Sequence, residues 1–226
     1  MRAKPSKGLC SFCGQPIAKV SVNKHLSACA NLLEAVAKAD ESKRKSEKLF
    51  HLRAQAEGQP HYWLDLEMRG SAKLDDLDHY LRGIWLECCG HLSQFSYGGF
   101  GGEEIAMSKT IAQVFGNDAT LTHIYDFGTE SVTLIKPVRL RTGKPLTTHP
   151  VSLLMRNIAP VFACQECQEP AEWLCMECIY EHDDTGLLCA KHAENHPHDE
   201  YGEPTAIVNS PRMGLCGYDG PAEPPY

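Results

Sequence analysis

HYWLDLEMRGSAKLDDLDHYLRGIWLE (residues 61–87) changes its apolar period once, and that change sets the fold class. Over His61–Met68 the side chains alternate, with Tyr62, Leu64, Leu66 and Met68 on one face, the two-residue repeat of a strand. Arg69-Gly70-Ser71 turns the chain. Beyond it Leu74, Leu77, Leu81, Ile84 and Trp85 recur at helical spacing, so an amphipathic helix follows the strand. Working outward, a second strand falls at Leu92–Tyr97, followed by the flexible GGFGG. A short helix over Ser108–Phe115 has Ser108 as its cap and Gly116 as its stop. TLTHIYDF and SVTLIKPV then form a hairpin around Gly128-Thr129. Residues 138–160 read as a turn-containing connector leading into an apolar strand, Val151–Met155. This order predicts an α+β domain over 60–158, a small antiparallel or mixed sheet with helices on one face.

Two metal signatures flank that domain. Towards the C-terminus, residues 159–200 carry C-x2-C-x7-C-x2-C-x10-C-x2-H-x3-H-x-H, with ligands at Cys164, Cys167, Cys175, Cys178, Cys189, His192, His196 and His198. Zinc takes four N/S donors in a tetrahedral shell, so eight donors supply two closed sites. A cross-braced order gives Cys164, Cys167, Cys189 and His192 one ion and Cys175, Cys178, His196 and His198 the other. A sequential order instead gives the first four cysteines one ion and Cys189 with the three histidines the second. The cross-brace is favoured because it ties a segment with few core-forming residues into one unit. His182 is a spare imidazole. Residues 201–226 form a tail rich in turns, whose default is to pack back on the core.

Towards the N-terminus, residues 1–30 contain Cys10-x2-Cys13-x11-His25-x3-Cys29, the spacing of a small ββα finger with Asn23 as helix cap. Between finger and domain, residues 31–59 are rich in Ala, Lys and Glu, with no Gly until Gly58 and a sparse apolar stripe at Leu32, Leu33, Val36, Leu49 and Leu52. This composition predicts one long, exposed connector helix.

Charge separates the two ends. Residues 1–60 hold 11 Lys+Arg and 5 Asp+Glu, a net of +6 within a chain of formal charge −7. In residues 160–226 only Lys191 and Arg212 oppose thirteen acids. Nucleic acid requires clustered positive charge, so the C-terminal module is a poor nucleic-acid surface while residues 1–58 remain a possible one. No apolar run approaches a membrane span, and the opening residues lack the apolar core of a signal peptide. Eleven cysteines, many at metal spacing with histidine, fit a reducing cytoplasmic setting.

Several stretches carry family resemblances. YWLDLEM (62–68), KLDDLDHYLRGIWLECCGHLSQF (73–95), YDFG (125–128) and VNSPRMGLCGYDG (208–220) resemble the plasmid pRiA ORF-three-like family, insertion-element passenger proteins of the TnpR-like kind. That resemblance spans roughly residues 60–220 and implies a fold and a mobile-element setting, with no established activity. Members continue YDFG with an acidic residue, an aromatic and a histidine; this chain has Thr129-Glu130-Ser131-Val132, and Ser93 lies where a second histidine is common. Residues 10–29 resemble a CCHC-type zinc finger, and the C-terminal module resembles a B-box-like double zinc module.

The chemistry-bearing residues outside these modules read as structural. Cys88-Cys89 with His91 follow an apolar helix and read as buried small side chains rather than a nucleophile. Asp126 in YDFG reads as a hairpin turn, and Glu103-Glu104 lack partners. The expectation is a non-enzymatic protein holding three structural zinc ions and binding another protein as an interaction module or adaptor. A nucleic-acid binder using residues 1–58 and a zinc-dependent hydrolase with an open metal position stay as alternatives.

Overall fold

The computed structural model describes residues 6–117, 119–197 and 200–226. Its elements run β1 (Lys7–Cys10), β2 (Pro16–Ala18), α1 (Val22–Ala28), α2 (Ala30–Glu41), β3 (Glu47–Ala56), β4 (Trp63–Arg69) and α3 (Leu74–Leu81). A π-turn over Arg82–Leu86 continues α3. Then come β5 (Ser93–Tyr97), β6 (Glu103–Ile105), α4 (Ile111–Val114), β7 (Leu121–Tyr125), β8 (Ser131–Gly143) and β9 (Val151–Asn157). The C-terminal part adds β10 (Trp173–Leu174), α5 (Met176–Glu181), β11 (Leu187–Leu188), α6 (Ala190–Glu194) and β12 (Thr205–Ala206).

Nine strands pair in the order β2-β1-β9-β4-β3-β8-β7-β5-β6, and every pairing is antiparallel. The α+β class read from residues 61–87 is therefore the observed one. The sheet is larger than the sequence suggests, because β1 of the finger pairs with β9 and β3 enters its centre.

Strand β3 corrects the connector reading. Helix covers only Ala30–Glu41 of residues 31–59, and Glu47–Ala56 is a strand paired with β4 on one side and β8 on the other. Glu, Lys, Leu, Ala and Gln favour helix locally, but Phe50, Leu52, Ala54 and Ala56 alternate into the core. Pairing along two neighbours outweighs a weak local preference. Strand β8 likewise runs on to Gly143, through residues read as connector. The short helix begins later than expected: Thr110, not Ser108, caps α4, exchanging hydrogen bonds with Gln113 in a capping box.

Both faces of the sheet are covered around β4. Tyr62, Leu64, Leu66 and Met68 meet α3, α4 and the π-turn in the main core, where Leu77, Leu81, Ile84 and Trp85 are fully buried. On the opposite face Trp63, Leu154 and Met155 pack with Val22, Leu26 and Leu32, so α1 and α2 add a second helical layer at that end. Gly8 makes this possible, since a Cβ there would lie 2.5 Å from Trp63 Cη2 and 2.7 Å from the Arg156 carbonyl. Asp65, fully buried on β4, receives Arg53 Nε at 3.1 Å and Nη2 at 2.9 Å, and lies against His51. Such pairing is what lets a charge sit between two packed layers.

Candidate metal centres

Zinc–thiolate bonds of about 2.3 Å and zinc–imidazole bonds of about 2.0–2.1 Å put tetrahedral donors roughly 3.8 Å (S to S) and 3.5 Å (S to N) apart. Four groups of Cys and His side chains among the described residues meet this spacing, each with all donor atoms within 4.8 Å of one another.

The first group is Cys10, Cys13, His25 and Cys29. Cys10 ends β1, and the turn after it is closed by Gly14 N–H donating to the Cys10 carbonyl at 2.9 Å, which aims Cys13 back at the same point. Helix α1 supplies His25, and Cys29 sits in extended backbone at the break between α1 and α2. Cys10 and Cys29 Sγ are 4.0 Å apart, and Cys13 Sγ is 3.5 Å from His25 Nε2. Asn23, read as the helix cap, lies within α1 because the helix starts two residues earlier than read, at Val22 with Ser21 in the N-cap position. Burial pushes the Cys10 thiol up to about 11, whereas a backbone N–H at Gln15 lowers Cys13.

The C-terminal module groups its ligands in the cross-braced order, not the sequential one. Cys164, Cys167, Cys189 and His192 converge, with His192 Nδ1 3.4 Å from both Cys164 and Cys189 Sγ and Cys167 Sγ 3.7 Å from Cys189 Sγ. Cys175, Cys178 and His196 form the other group, Cys178 Sγ lying 3.2 Å from His196 Nε2. His198, the fourth ligand read for that site, lies outside the described residues. His182 has Glu177 at 3.7 Å. Each knuckle is a backbone device: Gln168 N–H donates to the Cys164 carbonyl at 3.0 Å, and Cys178 N–H donates to Cys175 Sγ at 3.4 Å. Burial opposes ionisation of Cys164, but backbone N–H groups at Cys189 and Glu166 and the His192 ring outweigh it and bring the thiol down to about 6. A thiol so poised is a ready thiolate ligand.

The fourth group is Cys88, Cys89, His91 and Cys216. It corrects the reading of Cys88-Cys89 as buried core side chains, because Cys89 is exposed, Cys88 is half-buried, and both face a cysteine from the tail. Adjacent ECCGH spacing was visible in the sequence; the partner 125 residues away was not.

In two other polar clusters a buried carboxylate is paired by neighbouring side chains. Asp78 accepts from Ser93 Oγ at 2.6 Å and His123 Nε2 at 2.7 Å, with Arg82 at 3.7 Å. Asp126, at φ 65° in the hairpin turn, accepts from Arg212 Nη2 at 2.7 Å and from Gly128 N–H at 3.0 Å. Glu103 and Glu104 are exposed on β6.

No family model and no curated protein matches the chain. Among solved structures it is similar to a protein of unknown function, MM3350 from Methanosarcina mazei Go1, at 16% identity and a TM-score of 0.40, covering 47% of this chain and 68% of that one. Among the described residues, no helix is long and apolar enough to cross a membrane.

Proposed function

We propose that the chain is a zinc-stabilised, non-enzymatic interaction protein. The observation that carries this reading is closure: the finger and the first module site each bring four protein donors to one point, leaving no position for an activated water. His198 would close the other module site in the same way. Zinc in these places supplies folding energy to segments with little core of their own.

The central sheet would present the contact surface. Phe100 and Phe127 lie edge to face at 6.3 Å and are 66% and 44% exposed, an apolar pair of the kind that anchors a protein partner. The resemblance to plasmid ORF-three-like passenger proteins would place this adaptor role in a mobile-element setting in the cytoplasm. Nucleic acid is the weaker reading, because several cations of the basic N-terminal part are spent inside the fold. Lys19 bonds Gln55 and the Pro60 carbonyl, Arg44 the Leu146 carbonyl, and Arg53 is paired with Asp65. Charges held this way release few counterions on phosphate.

The test is cobalt substitution of the full chain. Closed sites predict a four-coordinate thiolate spectrum that added small anions leave unchanged; an anion-dependent change would expose an open position and support a hydrolase. Phe100→Ala with Phe127→Ala should leave metal content unchanged while abolishing partner capture, and capture unaffected by the pair would remove that surface from the reading.

A further inference from the structure

We propose that Cys88, Cys89, His91 and Cys216 form a fourth zinc site, a clasp that fastens the C-terminal tail to the central sheet. The donor spacings are those of a tetrahedral shell. Cys89 Sγ is 3.8 Å from Cys88 Sγ, 3.7 Å from Cys216 Sγ and 3.1 Å from His91 Nε2, and His91 Nε2 is 3.4 Å from Cys216 Sγ. Three of these match the roughly 3.8 Å and 3.5 Å edges expected for zinc, the Cys89–His91 contact is tighter, and the sulfur–sulfur distances exceed by far the about 2.05 Å of a disulfide.

The loop is built to hold that arrangement. Tyr125, on β7, places its hydroxyl beneath residues 87–91, where it accepts from Cys88 N–H at 3.4 Å and His91 N–H at 3.3 Å and donates to Glu87 Oε1 at 3.1 Å. Glu87 Oε1 also accepts from Gly90 N–H at 2.7 Å. The backbone is thus fixed with Cys88, Cys89 and His91 directed to one point.

On the other side, Cys216 adopts φ 52°, ψ 36°, a left-handed conformation that disfavours a cysteine and persists only where surroundings impose it. A metal bond at its sulfur is such a constraint. Three thiolates and one neutral imidazole on a divalent ion leave one excess negative charge. Arg212, fully buried, is shared between this group and Asp126: its Nε lies 3.4 Å from Cys88 Sγ and its Nη2 2.7 Å from Asp126 Oδ2, which is itself 3.4 Å from His91 Nε2. Four protein donors make the site closed and structural.

The tail so fastened touches both halves of the molecule. Ser210 Oγ donates to the Trp85 carbonyl at 2.5 Å, and Asn209 Oδ1 accepts from Asn157 Nδ2 at 2.7 Å, both in the central domain. Gly214, at φ 79°, accepts from Tyr180 Oη in the zinc module at 3.2 Å, and a Cβ there would lie 2.6 Å from Leu174 Cδ2. The clasp therefore also sets how the module is held against the sheet.

The test combines zinc content with cysteine protection in the full chain. Cys216→Ser and, separately, His91→Asn should each carry one zinc ion fewer than wild type, with faster proteolysis of residues 209–226. In the wild type, Cys89 and Cys216 should resist alkylation, although both are exposed, until a chelator is added. Unchanged zinc content in both variants, or alkylation of Cys89 and Cys216 at free-thiol rates in zinc-loaded protein, would overturn the proposal. The alkylation measurement needs no variant and decides the matter if either substitution prevents folding.

Discussion

The central sheet and the C-terminal module are stabilised by different means. The sheet encloses a continuous core in which Leu52, Leu64, Leu66, Leu77, Trp85 and Phe95 are fully buried. The module's buried apolar cluster is Cys175, Cys178 and Leu188, with Ala193 against it, and two of those three belong to a candidate metal group. Apolar burial of about 25 cal/mol per Å2 can order the first and falls far short for the second. The finger lies between them: it has its own donor set, yet it also packs Val22, Leu26 and Leu32 on Trp63 and Met155. On the proposed reading, a metal signature in sequence marks two situations, a module that would fold only with an ion and one that the main domain also holds.

The sharpest break in that comparison is loss of a module ligand. Cys164→Ser should cost the module on the order of 10 kcal/mol of metal-linked folding energy and unfold residues 164–196, while thermal melting of the sheet is retained. Loss of the sheet's cooperative transition in the same variant would mean the two regions are one folding unit. Next in size, Trp63→Ala should destabilise the protein by about 3–5 kcal/mol, measured by denaturant unfolding. It should also speed zinc loss from the finger, because Trp63 is fully buried beneath β1 and donates from Nε1 to Ser6 Oγ at 2.8 Å. Equal zinc release from finger and module in this variant would erase the distinction drawn for the finger.

Asp78→Ala should cost about 3 kcal/mol, since it strands the buried His123 and the half-buried Ser93. Burial opposes ionisation of Asp78, but the His123 and Ser93 hydrogen bonds and the Arg82 charge outweigh it and hold the carboxyl below its ordinary value. Its folded pKa is depressed, so its contribution is present above the usual carboxylate value of about 3.9 and is lost as pH falls through the lowered one. Acid unfolding followed by circular dichroism should therefore show a destabilisation below about pH 4 that Asp78→Ala reduces. The smallest effect expected is at α4: Thr110→Ala should cost about 1 kcal/mol and Ser108→Ala no measurable stability, because only Thr110 caps the helix.

Much of this was legible where the signal is local. The alternation at Tyr62–Met68 marks the face of β4 on the main core, although its other face is buried too, the helical repeat from Leu74 to Leu81 follows from one buried face, and the ligand spacings of knuckles and finger are set by short turns. What escaped is non-local. Strand β3 is specified by pairing with β4 and β8 against its own helix-favouring composition. The finger's entry into the sheet depends on β9, about 145 residues on, and on Gly8 clearing Trp63. The Cys88, Cys89, His91 and Cys216 group depends on a tail folding back across the domain, which no spacing within either stretch encodes.

The measurement that bears most directly on the comparison is hydrogen–deuterium exchange of the full chain before and after chelation, read by peptide. The account predicts that amides over residues 164–196 lose protection at once, that β3, β4 and β8 keep theirs, and that the finger falls between. Protection over 164–196 that survives complete metal removal would contradict it, since the module would then be held by something other than its ions.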